Sequence, residues 1–577
     1  MRDEVRLAID LYLPQGDALG RLPTLVIFTP YYRRFALQDS APSTSEPSIS
    51  AGRYRDFFVP RGYALVVVDV RGTGASFGVR EGFRSPKERE DYREMVDWIV
   101  RQRWSSGAVG ATGVSYVGAA ADFLASTGHP RVKAIAPLFS VWDTYSDHYY
   151  PGGMLLNRLA ETYDELMIAL DHDRREKLGR FAYYKDPHLS GPAPVDDDAD
   201  GSLLRAAIAE HRNNFYMPDY IREFAFKEDG LPYDANFSSA AFSPYAYSHG
   251  MRDDVAVYSV SGWMDGAGYS NAAIARFLSL PNPRRHLLLG PWDHGARANV
   301  SPFRARADSE FPLLAELLRF FDHYLLEIDT GFDRESPVHY FTMGAETWRA
   351  CAQWPPHDGS LRMFLAADGA LVREPGAAGE DRYRVDFSLG TGANTRYGRL
   401  AAMNVRDYYT DWDGRDRRML CYTSPPFGID QELSGHPILE LHLAASEADA
   451  ALHVYLEDVA PDGACRYVTE GMLRALHRRE QPAPAQHRVI GPYHSYRRED
   501  AAPLVPGEST VLRFSLLPTS WRIAAAHRLR IAIAGADADN YGQVPHGRPP
   551  LLTIFRGGGH PSSIALPLRP ATVTART

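Results

Sequence analysis

Apolar positions in the first quarter of the chain fall in short continuous runs rather than in alternation. Leu25-Val26-Ile27-Phe28 and Ala64-Leu65-Val66-Val67-Val68 are the β-branched kind of run that forms strands buried on both faces. Between 87 and 103 the period changes, with Tyr92, Met95, Val96, Ile99 and Val100 at helical spacing. Val109-Gly110-Ala111-Thr112 then predicts a strand followed by an alanine-rich helix, and Val132-Lys133-Ala134-Ile135-Ala136 predicts another strand. Strand and helix alternating over 1–145 predict an α/β core, doubly wound around a mostly parallel sheet.

From 146 to 240 the strand signals fade. Segments 155–170 and 203–211 read as helices between loops rich in Pro, Asp and Gly, which predicts a helical cap inserted into the core. The α/β pattern resumes over 241–354, with Val255-Ala256-Val257-Tyr258-Ser259-Val260, His286-Leu287-Leu288-Leu289 and the amphipathic segment 312–326. Beyond 355 short strands alternate with turns, as in Leu361-Arg362-Met363-Phe364-Leu365, Ile438-Leu439-Glu440-Leu441-His442-Leu443, Leu452-His453-Val454-Tyr455-Leu456 and Leu529-Arg530-Ile531-Ala532-Ile533. Residues 355–577 are therefore expected to form a C-terminal jelly-roll β-sandwich.

Composition narrows the partners. A chain of 577 residues with 45% hydrophobic and 23% charged residues is globular and long enough for about three to four domains. A net charge of −9 argues against a nucleic-acid partner, because phosphate binding needs a basic surface. No stretch approaches the roughly 20 apolar residues of a membrane helix, so no membrane partner is expected. Cys351, Cys421 and Cys465 are far apart and form neither a disulfide framework nor a zinc motif, which fits a reducing, cytoplasmic setting. No signal-peptide pattern opens the chain, and its abrupt entry into strand-like sequence suggests that a few N-terminal residues are missing. Oligomeric state is left open, a homodimer among the alternatives.

Chemistry enters at Gly113-Val114-Ser115-Tyr116-Val117-Gly118, where a serine stands between a predicted strand and a predicted helix. A nucleophilic serine needs such a sharp turn to lift its hydroxyl clear of the backbone, although here the second glycine falls at 118 rather than 117. A serine hydroxyl also needs a histidine to take its proton and a carboxylate to hold that imidazole. In α/β-hydrolases these follow in the order Ser, acid, His. The strand at 255–260 runs into Gly262-Trp263-Met264-Asp265-Gly266, and the strand at 286–289 into Gly290-Pro291-Trp292-Asp293-His294. Ser115, Asp265 and His294 are the predicted triad. Asp265 is preferred to Asp293, which would have to fold back onto the adjacent imidazole, and His286 is set aside because it begins a strand. For the oxyanion, the Tyr116 N–H and the Tyr31 phenol, fixed behind Pro30, are the candidate donors. No cofactor or metal is called for. Asp196-Asp197-Asp198-Ala199-Asp200-Gly201 opens like a calcium loop, but its twelfth position is Ala207, so it reads as an acidic loop before a helix.

Taken in order, these motifs resemble the CocE/NonD-type hydrolases, the group that holds cocaine esterase, α-amino acid ester hydrolases and X-Pro dipeptidyl peptidases. The residues that carry the resemblance include Thr29-Pro30-Tyr31, Asp69-Val70-Arg71-Gly72-Thr73-Gly74-Ala75-Ser76-Phe77-Gly78, the Ser115 motif with its late glycine, the Asp265 and His294 motifs, and His560-Pro561-Ser562. The resemblance implies an α/β-hydrolase core with a helical cap and a jelly roll that helps wall the site, including loops such as 400–412. It places the triad on Ser115, Asp265 and His294 and the oxyanion donors on Tyr31 and Tyr116. Arg71 reads as structural, tying the loop after Val68 to the core. Family members that take amino esters hold the substrate's ammonium with carboxylates, some just after the triad aspartate. Here that stretch is Gly266-Ala267-Gly268, with only Asp143 or Asp147 in reserve, and the small Ala267 hints at a roomier acyl site.

The expected reaction is cleavage of a small-molecule carboxylic ester through an acyl-enzyme. An amidase, an X-Pro-type peptidase or an acyltransferase would use the same triad. A noncatalytic binding protein is the alternative of a different class.

Overall fold

The computed structural model describes residues 1–16, 20–304, 309–397, 408, 409, 412 and 414–571. Nine strands form the core sheet, and the continuous apolar runs are its centre. Leu22–Thr29 and Ala64–Asp69 are buried at every position, as strands covered on both faces must be. Across the sheet the strands run Ile9–Tyr12, Ala64–Asp69, Leu22–Thr29, Ser105–Val114, Val132–Leu138, Ala256–Gly262, Arg285–Gly290, Val338–Thr342 and Thr347–Cys351. The seven inner strands are parallel, and the two edge strands are antiparallel.

Helices cover both faces. Pro86–Val100 turns Tyr92, Met95, Val96 and Ile99 into one face of the core, and it begins at Ser85, whose side chain accepts from Glu88 N–H in a reciprocal cap. Leu313–Leu325 packs Leu317, Phe320 and Phe321 against the opposite face. Between Val132–Leu138 and Ala256–Gly262 the chain leaves the sheet and forms helices, among them Asn157–Asp171 and Ser202–Glu210. The acidic loop ahead of the latter does what a helix start needs: the Asp198 carboxylate accepts from the N–H groups of Leu203 at 3.0 Å and Leu204 at 2.8 Å.

After Cys351 the described residues form strands and single helical turns, gathered in an eleven-stranded and a three-stranded sheet. Their apolar interior is continuous with one side of the α/β core, since Trp263, Leu287 and Val338 share a cluster with Trp354, Leu433, Trp521 and Ile564. The three cysteines are unpaired and half-buried. Among the described residues no helix is long and apolar enough to cross a membrane.

Arg71 ties the loop after Ala64–Asp69 to the core. Its guanidinium makes two parallel 2.6 Å bonds to Asp91 and a third, of 2.8 Å, to Asp3. Both Arg71 and Asp91 are buried, so removing the acid strands a charge. Asp91→Ala should lower stability by about 3–5 kcal/mol, read as a fall in the urea midpoint, whereas Asp3→Ala, at the exposed end of the network, should cost less than about 1 kcal/mol.

Candidate active site

Strand Ser105–Val114 ends one residue before helix Tyr116–Ser126 begins, so Ser115 alone makes the turn. It does so at φ 68° and ψ −125°, a conformation costing a residue with a Cβ about 1–3 kcal/mol. The turn is held from both sides: Ser115 N–H donates to Leu138 C=O at 2.9 Å, and Ala119 N–H donates to Ser115 C=O at 3.1 Å. Both glycines of the motif are close approaches. A Cβ on Gly113 would lie 2.1 Å from Val117 Cγ1, and one on Gly118 would lie 2.8 Å from the carbonyl oxygens of Gly113 and Leu138. Position 118 thus faces the strand ends, and the valine at 117 fills the space above Gly113. That is why the second glycine comes late.

The two later loops meet. His294 Nδ1 lies 2.7 Å from Asp265 Oδ1, with both residues buried. Asp265 is itself fixed: Ser261 hydroxyl donates to Oδ2 at 2.6 Å, and Gly266 N–H donates to Oδ1 at 2.9 Å. The loop that carries it is anchored by Trp263, whose indole N–H donates to Phe341 C=O at 2.7 Å. Asp293 points elsewhere, accepting from Ala298 N–H at 3.3 Å, and burial lifts its carboxyl to about 7. His286 is a core residue on Tyr324, its imidazole pulled down to about 4 by burial.

Tyr31 reaches the Ser115 side chain. Its hydroxyl is 3.0 Å from that of Tyr163, with the Ser115 side chain also within reach, and burial raises the phenol well above its usual value. It therefore stays protonated and able to donate. Tyr116 supplies the first N–H of its helix, which the helix's own bonding leaves free. Its ring is immobilised, the hydroxyl donating to Glu88 Oε2 at 2.6 Å and accepting from Arg84 N–H at 3.2 Å.

A narrow cavity of about 20 Å³ opens over Ser115. Its walls are aromatic, with Phe83, Tyr149, Tyr163 and Tyr269, and carry two basic groups, Arg84 and His148. Tyr269 joins the cavity to His294, its ring centroid 5.4 Å from that of the imidazole. Asp143 and Asp147 face a separate cavity of about 130 Å³ between the α/β core and the C-terminal sheets. There Asp143 is paired with Lys227 at 2.7 Å, and Asp147 accepts from the N–H groups of Trp142 and Asp143. Ala267 lines this second cavity as well, so its small side chain does not widen the space over Ser115, contrary to the expectation from sequence. Of segment 400–412 only Tyr408, Tyr409 and Trp412 fall within the described residues, so the expected wall there lies mostly outside them.

Arg84, His148, Tyr163 and Tyr269 were not singled out from sequence. Each lies in an ordinary-looking stretch, and only the path of the chain turns them toward Ser115.

A fold with a parallel sheet, a serine elbow and a carboxylate-held histidine defines the α/β-hydrolase class. Residues 3–296 match the X-Pro dipeptidyl-peptidase (S15 family) and residues 330–565 the X-Pro dipeptidyl-peptidase C-terminal non-catalytic domain; the chain belongs to this family of hydrolases. A protein of Mycobacterium bovis named as a serine esterase is 41% identical over 98% of this chain and 94% of its own length. The cocaine esterase of a Rhodococcus species is 26% identical, over 98% and 97%. Among solved structures, a CocE/NonD family hydrolase from Staphylococcus aureus superposes with a TM-score of 0.70 at 18% identity, covering 99% of this chain and 92% of that one. An α-amino acid ester hydrolase gives 0.70 at 21% identity, over 99% and 95%. These last two show the shared fold.

The elbow is testable by one methyl group. Gly118→Ala should abolish covalent labelling by a fluorophosphonate, because its Cβ meets backbone on two strands, whereas Ala119→Gly, which opens space instead, should retain labelling.

Proposed function

We propose that this serine hydrolase cleaves carboxylic esters through an acyl-enzyme, with Ser115 as nucleophile, His294 as general base and Asp265 as its orienting acid. The observation that carries the reading is the 2.7 Å bond from Asp265 to His294 Nδ1, which leaves Nε2 to take a proton, in a site that also holds a serine at a strained elbow. As Ser115 attacks, charge develops on the carbonyl oxygen, and the Tyr31 hydroxyl with the Tyr116 N–H stabilises it. His294 then protonates the leaving alkoxide, and water activated by the same imidazole releases the acid.

An ester is favoured over a peptide with a free amino terminus by the chemistry of the cavity. Such a peptide brings an ammonium group, and among the described residues lining the Ser115 cavity there is no carboxylate to receive it. Asp143 and Asp147 are held in the neighbouring cavity by Lys227 and by backbone N–H groups. The name of the 41% identical Mycobacterium bovis relative supports the same choice. The three unpaired thiols fit a reducing cytoplasm.

Fluorophosphonate labelling and hydrolysis of short-chain nitrophenyl esters test the assignment directly. Ser115→Ala and His294→Ala should lose both, and Tyr31→Phe should lower kcat by about a hundredfold to a thousandfold with little change in fold. Folded wild-type protein that neither labels nor turns over any ester would reject the reading.

A further inference from the structure

Among the described residues seven cationic side chains are buried: Arg33, Arg71, Arg80, Arg84, Arg276, Arg396 and Lys227. Six of them stand against a carboxylate. Arg33 pairs with Asp10 and Asp69, Arg71 with Asp91, Arg80 with Asp171, Arg276 with Asp122, Arg396 with Glu470, and Lys227 with Asp143. Arg84 is the exception. No carboxylate among the described residues lies within ion-pair distance of it, and it is the one that lines the cavity over Ser115.

The contacts Arg84 does make fall short of compensating it. Its guanidinium stacks 4.8 Å above the Tyr116 ring, and one Nη donates to Thr144 Oγ1 at 3.3 Å, while the buried Nε has no hydrogen-bond partner among the described residues. A cation over an aromatic face recovers less than the removal of an unpaired charge from water costs. The acids nearby are already engaged: Glu88 accepts the Tyr92 and Tyr116 hydroxyls, and Asp122 holds Arg276. Beside Arg84 the cavity presents a second group in the same condition. His148 Nδ1 is bonded to the Tyr269 hydroxyl, and its buried Nε2 has no partner among the described residues. Burial keeps this imidazole neutral and the Tyr269 phenol protonated; in the tautomer in which Tyr269 donates to Nδ1, the imidazole proton sits on Nε2 as a donor for a ligand.

We infer that Arg84, assisted by His148, receives a carboxylate of the substrate, so that the enzyme acts on esters carrying an anionic group close to the scissile carbonyl. The inference rests on the serine-hydrolase reading above and names its substrate class. A planar fork of donors suits a carboxylate.

Full-length enzyme would be assayed by pH-stat on two matched sets. One compares monomethyl succinate and monomethyl glutarate with methyl butyrate and methyl pentanoate. The other compares 3-acetoxypropanoate with propyl acetate, moving the charge to the alcohol side. Wild type should favour the charged ester in at least one set by about ten- to a hundredfold in kcat/KM, the worth of a charge-assisted hydrogen bond. In Arg84→Gln that ratio should collapse, mainly through KM, and Arg84→Lys should restore part of it. Wild type that treats charged and neutral esters alike overturns the inference even where Arg84→Gln does not fold, as does an Arg84→Gln enzyme that labels with fluorophosphonate yet keeps the preference. Brisk turnover of neutral esters with no charge preference would strike this inference alone, whereas no labelling and no turnover of any ester would strike the hydrolase reading beneath it.

Discussion

The left-handed backbone at Ser115 is the constraint around which the site is built. A serine at φ 68° is strained, and it holds only because strand Ser105–Val114 and helix Tyr116–Ser126 over-determine it. Their packing leaves no room for side chains at Gly113 and Gly118. The elbow therefore fixes three things together: where the hydroxyl points, where the first helix N–H lies, and how closely the helix sits on the sheet. The shift of the second glycine to 118 is a consequence of that packing, since 118 is the position that meets the Leu138 backbone.

Around this fixed point the remaining groups arrive from separate parts of the chain, each held by its own anchor. Asp265 is set by Ser261 and Gly266, and its loop is pinned by Trp263 to Phe341 and packed against Trp354. Through Trp354 and the cluster it belongs to, the C-terminal sheets bear on the loop that carries Asp265. Tyr163, from the helical insertion, does the same for Tyr31. Preorganisation of this kind spares the reaction the cost of ordering its groups at the moment charge develops.

Electrostatics divide the interior into two unlike cavities. The larger one is internally balanced, with Asp143 against Lys227 and Asp147 against backbone N–H groups. Among the described residues, the one over Ser115 is lined by Arg84 and His148 and by no carboxylate. A folded interior tolerates an unpaired guanidinium only at a cost of several kcal/mol, which a ligand of opposite charge can offset.

Much of the fold was legible in the sequence because it depends on periodicity. Buried parallel strands are continuous apolar runs, amphipathic helices repeat every three to four residues, and the Ser115, Asp265 and His294 motifs each lie at the end of an apolar run. The Ser115 turn, the preference for Asp265 over Asp293 and the tie made by Arg71 follow from local chain geometry, and the positions of all three are consistent with it. What the sequence could not decide is anything that depends on which side chains meet across distant segments. Ala267 stands two residues after Asp265 yet lines the other cavity. Arg84 precedes a helix start and looks like a solvated charge, and His148 and Tyr163 look like core or surface residues of the insertion. Local sequence sets the period of an element and the sharpness of a turn. Only tertiary packing sets whether a charge finds its partner, and at Arg84 it left the guanidinium with no carboxylate among the described residues, in the cavity that Ser115 lines.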